Sequence, residues 1–111
     1  MARRPRTERR EAARDEAKLA RVRIKLAALE AGGAPGRPIE VTSASTIESH
    51  ASSMTCAACG NLGVRVEEHA AQTVAGTGSE PARRLRVVHV LCQRCGTRRE
   101  VYFRIGTVLP S

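Results

Sequence analysis

Apolar positions along this chain follow a helical spacing at first and then, beyond Cys59, an alternation. From Thr7 to Ala31, Leu19, Val22, Leu26 and Leu29 recur at spacings of three, four and three, which predicts one alanine-rich helix with a narrow apolar stripe. Thr7 is the expected N-cap and Gly32 with Gly33 the stop. Ala12 carries the stripe one heptad earlier, but Asp15 interrupts it, so it is short for a coiled coil. Glu11 with Arg14 and Asp15 with Lys18 stand three apart, the spacing of solvated ion pairs on a helix surface.

After Cys59, Leu62, Val64 and Val66 alternate with Arg65 and Glu67, which predicts a strand over 62–69. A long hairpin connection over 70–84, containing Gly76, Gly78 and Pro81, leads to a second strand over 85–91 and a third over 100–105. In the middle strand Leu85, Val87, His89 and Leu91 share one face and Val88 and Val90 the other. Both faces therefore need partial cover, which the helix or a partner would supply. In the last strand Val101, Phe103 and Ile105 point inward and Tyr102 outward, beside Glu100 and Arg104.

Between helix and strands, residues 32–53 are rich in Gly, Pro, Ser and Thr, the composition of a linker or an irregular wrap that Ile39, Val41 and Ile47 tack to the domain. The expected organisation is a basic N-terminal helix over 1–31, this linker, a folded domain over 54–107 and a tail over 108–111.

Length and composition sharpen the picture. A chain of 111 residues buries a small share of its surface, and Tyr102 and Phe103 are its only aromatic residues, so something besides a core must hold it. Four cysteines are the available substitute. They fall in two local pairs, "CAAC" at 56–59 and "CQRC" at 92–95, rather than scattered as in a disulfide-stapled secreted domain, and that spacing favours a metal. The charged N-terminus leads into no apolar signal core and no run reaches membrane-spanning length, so a soluble, cytoplasmic protein is expected.

Each Cys-x-x-Cys turn can present two sulfurs to one metal, and two turns complete a closed tetrahedral shell. Gly60 and Gly96 follow the second cysteine of each pair, where a tight turn needs positive φ and backbone amides can approach the sulfurs. The order of knuckle, strand, turn, strand, knuckle, strand brings both knuckles to one end of a three-stranded antiparallel sheet. In that order, and in "TCAACG" and "LCQRCG", residues 54–106 resemble the zinc-ribbon fold group. The resemblance implies Cys56, Cys59, Cys92 and Cys95 as ligands of one structural Zn²⁺. It also implies a small zinc-stabilised α+β protein, with the N-terminal helix preceding a three-stranded antiparallel ribbon. Rubredoxin-like proteins hold iron or serve in redox with similar knuckles, but that resemblance implies an acidic, aromatic-rich domain, unlike this one. A thioredoxin-like redox pair would open a helix in a βαβ pattern, and neither pair here does.

The formal charge is +8, and four thiolates around one Zn²⁺ lower it by only two, so a polyanionic partner is admissible. Arg83, Arg84 and Arg86 enter the middle strand, Arg94 sits inside a knuckle, and Arg98, Arg99 and Arg104 follow it; Tyr102 adds a ring on which a base can stack. With the association of many zinc ribbons with transcription and translation, these residues make nucleic acid, or a complex that handles it, the expected partner. The alternative is that arginines balance the thiolates. A second alternative is an adaptor or self-associating helix docking through Leu19, Val22, Ile24, Leu26 and Leu29.

Catalysis is not expected. His50, His69 and His89 lack a nucleophile pattern, and the serines of 42–55 lack an elbow or phosphate loop. The "EEH" and "SEP" stretches do not reproduce the acidic hairpin tip of transcript-cleavage ribbons.

Overall fold

The computed structural model describes residues 5–76, 78–79 and 81–106. Helix α1 spans Arg6–Leu29. Strand β1 (Ile39–Val41), a 3₁₀ turn (Ala44–Thr46) and α2 (Ile47–Ser53) follow, then β2 (Arg65–Val74), β3 (Arg83–Leu91) and β4 (Arg98–Ile105). The sheet has the order β1-β4-β3-β2, with β2, β3 and β4 antiparallel to their neighbours and β1 parallel to β4. The expected three-stranded antiparallel sheet is thus corrected to a four-stranded mixed one.

The missing pieces lie in the segment read as a linker. Ile39 pairs with Phe103 and Val41 with Ile105, so the Ile-Glu-Val alternation forms an edge strand despite its Gly- and Pro-rich surroundings. Ser43 then caps the 3₁₀ turn, its side chain accepting the Ser45 amide. The α2 helix that follows buries Ile47 and Ala51 completely. Helix α2 covers the face of Val88, Val90, Val101 and Phe103, and Ala20 of α1 packs at its margin. These four side chains are at most 2% exposed, and burying each contributes about 1.5–3 kcal/mol relative to exposure. His50 sets its ring edge-on to Phe103 at 5.5 Å, and His69 Nδ1 lies 3.4 Å from Glu48 Oε1, tying α2 to β2.

Other boundaries shift for local reasons. Gly63 at φ 77° stops extension before Val64, whose amide donates to the Ser52 carbonyl, so β2 begins at Arg65 and Leu62 stays exposed. The strand then runs to Val74, and the connection shrinks to 75–82. A bulge between Val66 and Glu68 resets the alternation and turns His69 toward Val88. Ile105 is exposed rather than inward, because the sheet has run past the core.

Helix α1 begins one residue before the expected cap, at Arg6, with Pro5 as N-cap, and it makes no side-chain cap bond. Its C-terminal end is pinned: Arg37 donates to the Ala28 carbonyl and the Tyr102 amide donates to the Gly32 carbonyl. Gly32 is buried at φ 86°, and a Cβ there would come within 2.7 Å of Ile39 Cδ1, so this corner requires glycine. No residue of α1 is buried. Residues 1–4 and 107–111, including the expected tail, lie outside the described residues.

Replacing Phe103 by Ala opens the core between sheet and α2, and is expected to destabilise the fold by about 3–5 kcal/mol in chemical denaturation.

Candidate metal centre

Both knuckles have the same backbone. In the first, the Gly60 amide donates to the Cys56 carbonyl and the Cys56 amide to the Asn61 carbonyl; in the second, Gly96 donates to Cys92 and Cys92 to Thr97. Gly60 and Gly96 take φ of 75° and 77°, the left-handed turn expected of them. Asn61 and Thr97 close each loop, a role that the repeated Cys-x-x-Cys-Gly signature points to only by adjacency. The first knuckle joins α2 to β2 and the second is the turn between β3 and β4, so the sheet brings them together.

The four Sγ atoms lie within 4.8 Å of one another. Cys56 and Cys95 are 3.6 Å apart and Cys59 and Cys92 3.7 Å, across the knuckles rather than within them. These distances are far too long for disulfides, whose sulfurs bond at about 2.0 Å. They suit a tetrahedron: four sulfurs at about 2.3 Å from a Zn²⁺-sized ion have edges of about 3.8 Å. The set can hold one metal ion, and among the described residues no other cluster of His, Cys, Asp or Glu does so. The Ala58 and Cys59 amides approach Cys56 Sγ at 3.4 and 3.5 Å, so backbone donors face this sulfur from inside the first knuckle.

The thiols are unequal. The hydroxyl of Thr97, then its amide, hold Cys95 down to about 6, and the Cys95 and Arg94 amides lower Cys92. At Cys59 the Asn61 amide pulls downward, but burial and the neighbouring sulfurs of Cys92, Cys56 and Cys95 outweigh it, and the thiol is pushed up to about 11. A cation entering such a set finds one sulfur already ionised and must expel the proton of another.

Helix α1 lies over the knuckles. Ala13, Ala17 and Ala20 share an open cleft of about 550 Å³ with Ala58, Cys59, Arg94 and Cys95. Nearer the helix end, Arg23, Ala27 and Glu30 line a second cleft with Met54, Cys56, Ala57 and Arg99. Ala20 also packs against the core cluster.

The arginines do not gather on one face. Strand register puts Arg84, Arg86 and Arg99 on the face that α2 covers, and Arg83, Arg98, Tyr102 and Arg104 on the opposite one. Arg98 Nε donates to Glu67 at 2.9 Å, which raises its pKa further, and Arg104 pairs with Glu40. The Tyr102 hydroxyl donates to Glu100 at 2.5 Å, which pushes the phenol up to about 12. Arg99 is partly buried near α1, and loss of solvent lowers its pKa. Arg84 and Arg94 are exposed, while Arg86 is half-buried. Leu19, Val22, Ile24, Leu26 and Leu29 all remain 43–66% exposed.

Two outcomes check the site. Metal affinity is expected to fall as pH is lowered from 8 to 6, because a cation must displace at least the Cys59 proton, and to fall more steeply below about 6 as Cys95 also protonates. Competition titrations against a chromophoric chelator at several pH values measure this. Chelation is also expected to loosen α1 from the knuckles, read as faster tryptic cleavage at Arg21 and Arg23 than in the loaded protein.

Among the described residues no helix is long and apolar enough to cross a membrane. No family model, curated protein or solved structure matches the chain, so the meaning of the cysteine cluster rests on its own geometry and chemistry.

Proposed function

We propose that the protein is a non-enzymatic, zinc-stapled module that binds nucleic acid or a complex that handles it. The observation that carries the zinc assignment is the set of four sulfurs, separated across the knuckles by nearly a zinc-thiolate edge. An all-cysteine shell leaves no position for water or substrate, which suits a structural ion and not a catalytic one. The net charge of +8 and the exposed Arg84 and Arg94, in no ion pair among the described residues, support the polyanionic partner. Arg98, Arg104 and Tyr102 are weaker candidates because each is already bonded to a carboxylate.

Elemental analysis is expected to give one zinc per chain in a colourless protein; iron with a coloured sample would replace this reading with a rubredoxin-like one. Cys92→Ser is expected to leave the sheet protease-sensitive while α1 stays helical, because the metal contributes folding energy. Fluorescence anisotropy with labelled single-stranded RNA, single-stranded DNA and duplex DNA should show affinity falling linearly with salt on logarithmic axes. In Arg84→Ala/Arg94→Ala that slope should flatten by about 0.7–0.9 for each lost phosphate contact. Absence of binding at low salt removes the nucleic-acid half of the reading and leaves the zinc half intact.

A further inference from the structure

The second half of α1 is written in triplets. Residues 17–19 read Ala-Lys-Leu, 20–22 Ala-Arg-Val, 24–26 Ile-Lys-Leu and 27–29 Ala-Ala-Leu. The triplets start three, four and three residues apart, so corresponding positions stack along the helix. Successive residues are about 100° apart, and the helix therefore carries three parallel stripes. The first positions, Ala17, Ala20, Ile24 and Ala27, line the clefts against the sheet domain. The second, Lys18, Arg21 and Lys25, continue Arg10 and Arg14 into an exposed basic stripe. The third, Leu19, Val22, Leu26 and Leu29, are 49–66% exposed.

The two outer stripes are both unengaged. Among the described residues none of the ion pairs includes Arg10, Arg14, Lys18, Arg21 or Lys25, and the pairs expected from Glu11 to Arg14 and Asp15 to Lys18 are not formed. Leu19 and Leu26 reach the rims of those clefts, yet every member of the stripe stays about half exposed or more, while Ala20 and Ala27 are among the less exposed positions of the helix. The less exposed Ala20 and Ala27 carry small side chains, whereas Leu19, Val22, Leu26 and Leu29 leave much of their apolar surface in solvent, the reverse of what a helix does when its own domain is its full apolar partner.

From this arrangement we infer that α1 is a docking surface for an acidic amphipathic helix of another protein. The partner's apolar side lies on Leu19, Val22, Leu26 and Leu29, and its Asp or Glu flank meets Lys18, Arg21 and Lys25. A nucleic-acid backbone would use the cations and leave the leucines in water. A second copy fits less well. In an antiparallel pair the two basic flanks meet each other, and in a parallel pair Lys18 meets Arg23 of the second copy and only Lys25 finds an opposite charge, Glu30. An acidic amphipathic helix satisfies both stripes at once.

The test uses the full-length zinc-loaded protein and two fluorescein-labelled, helix-forming peptides of about three heptads, with Leu at a and d and either Glu or Lys at the flanks. The Glu peptide is expected to bind at least tenfold more tightly than the Lys peptide. Leu26→Glu should abolish that binding, and Lys18→Glu/Arg21→Glu/Lys25→Glu should reverse the preference toward the Lys peptide. Circular dichroism and zinc content should match the parent in both variants. Equal binding of the two peptides, or no reversal in the charge variant, overturns the inference. Sedimentation equilibrium showing a dimer that Leu26→Glu dissociates also overturns it, by assigning the stripe to a second copy. Loss of RNA or DNA binding on the Lys18/Arg21/Lys25 reversal, with neither peptide bound, overturns it as well and moves the phosphate contacts to α1. Failure of the nucleic-acid titrations alone leaves it standing.

Discussion

Two short turns must meet around one point, and most of the fold follows from that requirement. Four sulfurs held within 4.8 Å carry mounting negative charge as they ionise, so their closeness calls for a cation between them. Because the second knuckle is itself the β3–β4 turn and the first joins α2 to β2, the same closure fixes where the core helix enters and where the sheet reverses. The clefts under α1 are floored by Cys56, Cys59 and Cys95, so the helix rests beside the four-sulfur set.

The sheet divides its charge between two environments. On the face of Tyr102, carboxylates of Glu40, Glu67 and Glu100 meet Arg104, Arg98 and the phenol, so part of the positive charge counted in composition is locally answered. On the other face and at the knuckle rim, Arg84 and Arg94 stand in solvent. A run of arginines in sequence therefore overstates a basic patch: strand alternation halves it, and neighbouring strands bring carboxylates to much of what remains.

Local chemistry makes some features legible in the amino-acid sequence. The Cys-x-x-Cys-Gly repeats mark both knuckles with their positive-φ glycines, and the alternation in 85–91 and 100–105 marks β3 and β4. The 32–53 segment is obscure because β1 has only three residues and α2 buries only Ile47 and Ala51, too few for either period to stand out among Gly, Pro and Ser. Their identity as structure depends on distant partners, Phe103 and Val101, which no local window contains. The bulge at Glu67 and the halt at Gly63 likewise move β2 by a few residues in ways that hydrophobicity does not encode. The leucine stripe of α1 is legible, but which side of the helix faces the protein is not, since alanine is a good helix former wherever it sits.

The parallel pairing of β1 with β4 bears on how the chain assembles as it is made. The strand that occupies the place between β1 and β3 is synthesised after both of them, and so are Cys92 and Cys95. A growing chain thus exposes α1, the α2 apolar side and the β2–β3 hairpin while neither sheet nor metal shell can close. Helix α1, whose backbone ladder is local, can form before any of this. The four-stranded sheet and the four-sulfur set both await the last third of the chain, so strand insertion and closure of the sulfur set fall late and close together.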